Sequence, residues 1–138
     1  MKTRRDKLDI LFSTLIRERS NWKCDACGKY HPEGERRSLH CSHYHSRRKQ
    51  SVRFAPENCF SHCFACHQRL GENPHDFASW AIGKMGLEAY GLLTLKAGEI
   101  VKRSKKDKAE LYEEMKAKLD WMLEERRKGN LGRLEFEL

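Results

Sequence analysis

Two cysteine pairs of identical spacing, Cys24-Asp-Ala-Cys27 and Cys63-Phe-Ala-Cys66, constrain this chain more than any other feature. With two residues between them, both sulfurs of a pair can turn towards one point, and two such pairs supply the four ligands of a tetrahedral zinc site. A closed site of this kind contributes directly to the folding free energy, so it can hold loop-rich chain that burial alone cannot. Such a staple is needed here, because 35% of the 138 residues are charged against 38% hydrophobic, which leaves a modest core. Disulfides are the competing use of six cysteines, but C-x-x-C spacing running into His67 favours structural Zn²⁺ in a reducing compartment.

Apolar residues Leu8, Leu11, Phe12, Leu15 and Ile16 recur at helical spacing, so residues 5–20 read as an amphipathic helix with Thr3 or Asp6 near its cap. Residues 22–37 form a first zinc knuckle, with Gly28, Pro32 and Gly34 marking turns. Leu39 to Tyr44 and Ser51 to Phe54 read as two antiparallel strands joined by a basic loop, after which residues 55–58 leave the sheet. Phe64 to Leu70 reads as a short helix stopped by Gly71, and Asn73-Pro74 caps and starts the next, interrupted by Gly83 and Gly86. Leu87 to Leu95 has the composition of a core helix. Ser104 and Asp107 form a capping box for a helix of about 25 residues, on the order of 37 Å and long enough to project. Leu134, Phe136 and Leu138 alternate with charged residues like a strand, so this end should pack on the core or on a second chain. The chain thus divides into a core with its N-terminal helix, residues 1–103, and a helical extension with a tail, residues 104–138.

The net charge of +8 is placed unevenly. Residues 1–60 carry fourteen Lys and Arg against seven Asp and Glu, whereas residues 104–138 carry nine of each, so the knuckle half is the side suited to a polyanion such as DNA. The balanced helix suits self-association, as a homodimer, or docking to another protein. No apolar run reaches the roughly 18 residues that span a bilayer, and the N-terminus lacks a signal-peptide apolar region, so a soluble, cytoplasmic protein is expected.

Between the cysteine pairs lie His43-Tyr44, Arg53-Phe54 and Asn58, closed by Cys63-Phe-Ala-Cys66 and His67. This order, over about residues 20–93, resembles the HNH (ββα-metal, His-Me finger) endonucleases in their zinc-bearing branch, and within them the NinG-type phage recombination nucleases. The resemblance implies a zinc-stapled ββα-metal core, which with the N-terminal and long C-terminal helices read from the spacing makes an α+β fold. It also implies a metal-dependent endonuclease that hydrolyses phosphodiesters to 5′-phosphate and 3′-hydroxyl ends. The substrate would be DNA, branched in a recombination setting, inside the bacterial host of a phage or prophage.

On that likeness His43 is the general base, Asn58 the residue that orients it, and His67 the helical ligand of one catalytic divalent metal such as Mg²⁺, Mn²⁺ or Ni²⁺. Many relatives carry Asp immediately before the base, where this chain has Ser42; His40, where NinG-type sequences carry an Asp, is the expected second ligand. Imidazole is softer than carboxylate, which tilts the preference from Mg²⁺ towards Mn²⁺, Ni²⁺ or Zn²⁺. His45 is the alternative base and His62 the alternative ligand. Arg47, Arg48, Lys49 and Arg53 flank this site and are expected to contact phosphates, while Cys41 and Cys59 read as buried free thiols or a second thiolate site. A non-catalytic zinc-knuckle module that binds nucleic acid is the alternative function.

Overall fold

A capping box starts the first helix: the Asp9 amide donates to Asp6 Oδ1 (3.0 Å) and Asp9 Oδ2 accepts from the Asp6 amide (2.8 Å). In the computed structural model, which describes residues 4–138, α1 runs from Lys7 to Arg19, so Asp6 is the cap; Thr3 lies outside the described residues. Leu8, Phe12, Leu15 and Ile16 form its buried stripe. A second reciprocal box at Ser104 and Asp107 starts the longest helix, which contains 23 residues. Rather than projecting, it lies along α1 and buries Met115 and Met122 in the same core. Arg126 clips the two helices together, donating from Nε to Glu18 Oε1 (3.0 Å), while Trp22 Nε1 donates to Glu18 Oε2 (2.9 Å). The tail docks here too. Leu134 and Phe136 are buried in the α1 core, and the Leu134 amide donates to the Arg19 carbonyl (2.9 Å), but the tail forms no strand.

Beneath α1 lies a two-stranded antiparallel sheet in which β1 (Leu39–His43) pairs with β2 (Cys59–Cys63), from Leu39 opposite Cys63 to His43 opposite Cys59. The second strand is therefore not the Ser51 to Phe54 segment. That segment lies in a short helix, α2 (Gln50–Arg53), turned by bonds from the Val52 amide to the Lys49 carbonyl and from the Ala55 amide to the Val52 carbonyl. Pro56 then opens a 3-10 turn over Pro56–Asn58 that leads into the sheet instead of leaving it.

Helix α3 (Phe64–Glu72) follows β2 without a break and runs through Gly71, ending at Asn73. Asn73 also begins α4 (Pro74–Met85), with Pro at the first turn. Gly83 stays inside α4, and Gly86, at φ +87°, ends it in a conformation that favours glycine. α5 (Leu87–Ala97) is a surface helix: Leu93 and Ala97 are buried, whereas Leu87, Leu92 and Leu95 are exposed. The final helix, α6 (Lys105–Arg127), closes the order, giving an α+β fold whose centre is β1, the short α2 with its 3-10 turn, β2 and α3. Among the described residues, no helix is long and apolar enough to cross a membrane.

Candidate metal centre and adjoining cleft

The four cysteines of the C-x-x-C pairs meet at the start of α3, where their sulfurs all lie within 4.8 Å of one another. Zn–S bonds of about 2.3 Å in a tetrahedron give sulfur–sulfur edges of about 3.8 Å, and Cys27 and Cys63 stand 3.8 Å apart. The knuckle turns are built to hold thiolates: the Cys27 amide donates to Cys24 Sγ and the Cys66 amide to Cys63 Sγ, each at 3.5 Å. Gly28, at φ +77°, closes the first turn. Asp25 ties this knuckle to β2 through its amide to the Ser61 carbonyl (2.7 Å) and its Oδ2 to the Ser61 amide (2.9 Å). This donor set fits a structural zinc ion.

Beside the cluster runs a cleft of about 550 Å³ lined by His40, Cys41 and His43 of β1, His67 of α3, and Arg5, Arg17, Arg36 and Arg47. His40 and His67 face each other with their Nδ1 atoms 2.8 Å apart. His40 Nε2 lies 2.8 Å from the Arg37 carbonyl, and since a carbonyl only accepts, Nε2 carries the hydrogen and Nδ1 the lone pair. Two imidazole nitrogens converging beside a cleft are a donor pair suited to a borderline cation.

His43 is held the same way, its Nε2 lying 3.0 Å from the Arg53 carbonyl, which leaves the lone pair of the neutral ring on Nδ1. Burial, with a contribution from Arg47, lowers its pKa below the ordinary histidine value, so the ring is neutral at physiological pH. Asn58 is fully buried and pins the chain that carries this arrangement. Its Oδ1 accepts from the His45 amide (2.8 Å), while its Nδ2 donates to the carbonyls of His45 (3.1 Å) and Val52 (3.2 Å). Ser42, by contrast, is buried and does not line the cleft, so the residue type before His43 does not decide what the cleft can bind.

The expected phosphate contacts divide. Arg47 lines the cleft; Arg48 and Lys49 are exposed and do not. Arg53 is buried and committed to Asp9, with Nε at 2.9 Å and Nη2 at 2.5 Å from the two carboxylate oxygens, so it braces α1 against the loop instead of facing phosphate. Burial raises the Asp9 pKa, but Arg53 and the Asp6 amide more than offset this and hold it below the usual carboxylate value. The alternative base, His45, is absent from the cleft lining, and its Nε2 is buried without a partner. His62 is fully enclosed by Phe60, Phe77 and Trp80, with neither ring nitrogen bonded, and burial depresses its pKa to about 4. It is a core residue and does not line the cleft.

Cleft residues that the sequence reading missed come mainly from α1. Arg5, just before α1, and Asp9, Ser13 and Arg17 within it recur every four residues along a line beside the apolar stripe, and that polar line is the available signal. Arg17 crosses to the sheet, donating from Nε to the Leu39 carbonyl (2.7 Å) and from Nη1 to Ser13 Oγ (3.1 Å). The family model described as NinG, Bacteriophage Lambda NinG protein, matches residues 2–125. No curated protein and no solved structure matches the chain.

Proposed function

Because the matched segment takes in well over half of its residues, the chain belongs to the NinG family of phage proteins, and from that membership we propose that it is a metal-dependent HNH-type DNA endonuclease acting in phage recombination or DNA processing. The observation that carries this reading is the convergence of three histidines in one cationic cleft: His40 and His67 as a facing pair, and His43 with a lone pair on Nδ1. The antiparallel β1 and β2 followed directly by α3, which present them, resemble the two strands and helix of a ββα-metal nuclease.

His40 and His67 would hold the divalent cation. When bound there, a cation supplies charge neutralisation to a phosphodiester and to its departing 3′-oxygen. The chain's own residues do the rest. His43 Nδ1 takes the proton of the attacking water, and the Arg53 carbonyl stabilises the imidazolium that results, through the Nε2 hydrogen. Asn58 positions His43 by fixing the loop on both sides of α2. Arg5, Arg36 and Arg47 attract and seat the phosphate backbone without reading sequence. Arg48 and Lys49, on the exposed turn, extend that contact surface.

A nicking assay on plasmid and on branched DNA with Mn²⁺ tests the reading. Cleavage that requires His43, His40 and His67 is the expected result. DNA binding without metal-dependent cleavage would favour instead the zinc-knuckle binding module.

A further inference from the structure

Behind His43, on the face of the sheet that meets α1, lies a second group of ligand atoms. His43 and Cys59 are directly opposed across the antiparallel pair, and Cys41 sits two residues along the same face of β1. One ligand atom from each of Cys41, His43 and Cys59 falls within 4.8 Å of the other two. Because His43 Nε2 carries the hydrogen it gives to the Arg53 carbonyl, Nδ1 is the nitrogen with a lone pair to offer. Cys59 is fully buried, whereas Cys41 is half-buried and lines the cleft, so the group is closed towards the core and open on one side.

Register argues against the other use of two neighbouring cysteines. Cys41 faces Ser61 and Cys59 faces His43, so the two cysteines form a diagonal pair. Diagonal Cα atoms stand about 7–8 Å apart, beyond the usual span of a disulfide. Two sulfurs and one imidazole with an open fourth position form a familiar donor set for a thiophilic cation.

We infer that Cys41, His43 and Cys59 form a second metal site, distinct from the four-cysteine cluster, which takes a thiophilic cation such as Zn²⁺ or Cd²⁺. Binding releases the thiol protons to solvent and places the cation on His43 Nδ1. On the nuclease reading this removes the base, so excess zinc switches cleavage off; the metal site itself does not depend on that reading.

Cadmium NMR of the wild-type protein loaded with excess Cd²⁺ is the direct test. Two thiolate-bound resonances are expected, one from an all-sulfur site and one in the mixed sulfur–nitrogen range, and Cys41→Ser should remove the second while keeping the first. A single all-sulfur resonance, or a mixed resonance that survives both Cys41→Ser and Cys59→Ala, would overturn the site. Where cleavage is measured, excess Zn²⁺ should depress the wild-type rate on the order of 10²-fold, the usual contribution of a general base. Cys41→Ser, relative to its own zinc-free rate, should escape that inhibition. Equal inhibition of both proteins would overturn the switch, whereas absence of cleavage with both cadmium resonances present would overturn the nuclease reading alone.

Discussion

The role proposed for His43 rests on one carbonyl. With Nε2 committed to Arg53, Nδ1 carries the lone pair, and burial keeps the ring neutral. Replacing His43 with Ala should lower cleavage on the order of 10²-fold or more while DNA affinity and the zinc of the four-cysteine cluster stay unchanged, since a base acts on the transition state and not on the bound complex. The pH profile carries a second expectation. A base works in its neutral form, and burial depresses the pKa of His43, so the acid limb of kcat/KM should lie below the range of an ordinary histidine. Arg47→Ala removes a charge that lowers this pKa and should move the acid limb upwards; an unmoved limb would show that another group titrates. His62 governs stability rather than activity. Its pKa is about 4 in the folded chain against 6.5 when exposed, so the folded state loses on the order of 3 kcal/mol as the pH falls from about 6.5 to 4, with no loss above that window. Denaturant midpoints for His62→Leu should show a shallower acid decline than wild type, and parallel declines would assign the acid sensitivity elsewhere.

At the level of elements, the buried pair between Asp9 of α1 and Arg53 of α2 fixes the distance from the first helix to the cleft. Arg53→Met leaves Asp9 buried without its cation, which should cost about 3–5 kcal/mol by urea unfolding, whereas Asp9→Asn combined with Arg53→Met should recover part of that loss. A surface pair would show neither effect. The same residue explains where sequence reading stopped. Val52 and Phe54 alternate over four residues, too few to separate a strand from a helical turn, so Arg53 was expected on a sheet surface facing DNA. The true second strand, Cys59 to Cys63, is buried at every position and offers no alternation to detect. The cysteine pairs were legible because metal geometry dictates their spacing. Asn73-Pro74 and the Ser104 and Asp107 box were legible because capping is local. The composition of α5 points to core, yet Leu87, Leu92 and Leu95 are exposed, because composition records how apolar a helix is and not what covers it.

For the molecule as a whole, three devices hold a small core together: the four-cysteine cluster at one end, the α1 and α6 pair in the middle, and the tail laid across them. Stopping the chain after Gly132 removes Leu134 and Phe136 from the core and should cost about 4 kcal/mol or more, read as a lower urea midpoint; an unchanged midpoint would mean that the tail merely rests on the surface. Chelating the cluster metal should unfold the knuckle half, because the ligand set does not persist without its ion. On the proposed nuclease reading, this scaffold places His43 beside a cation held by His40 and His67. The most direct measurement is single-turnover cleavage of a labelled branched DNA by wild type, His43→Ala and His67→Ala across a Mn²⁺ titration. Mn²⁺-dependent cutting by wild type is expected, with at least partial recovery of His67→Ala at high Mn²⁺ and no recovery of His43→Ala at any concentration. Cutting by His43→Ala at the wild-type rate, or binding without cutting by wild-type protein that carries zinc in the four-cysteine cluster alone, would contradict that reading.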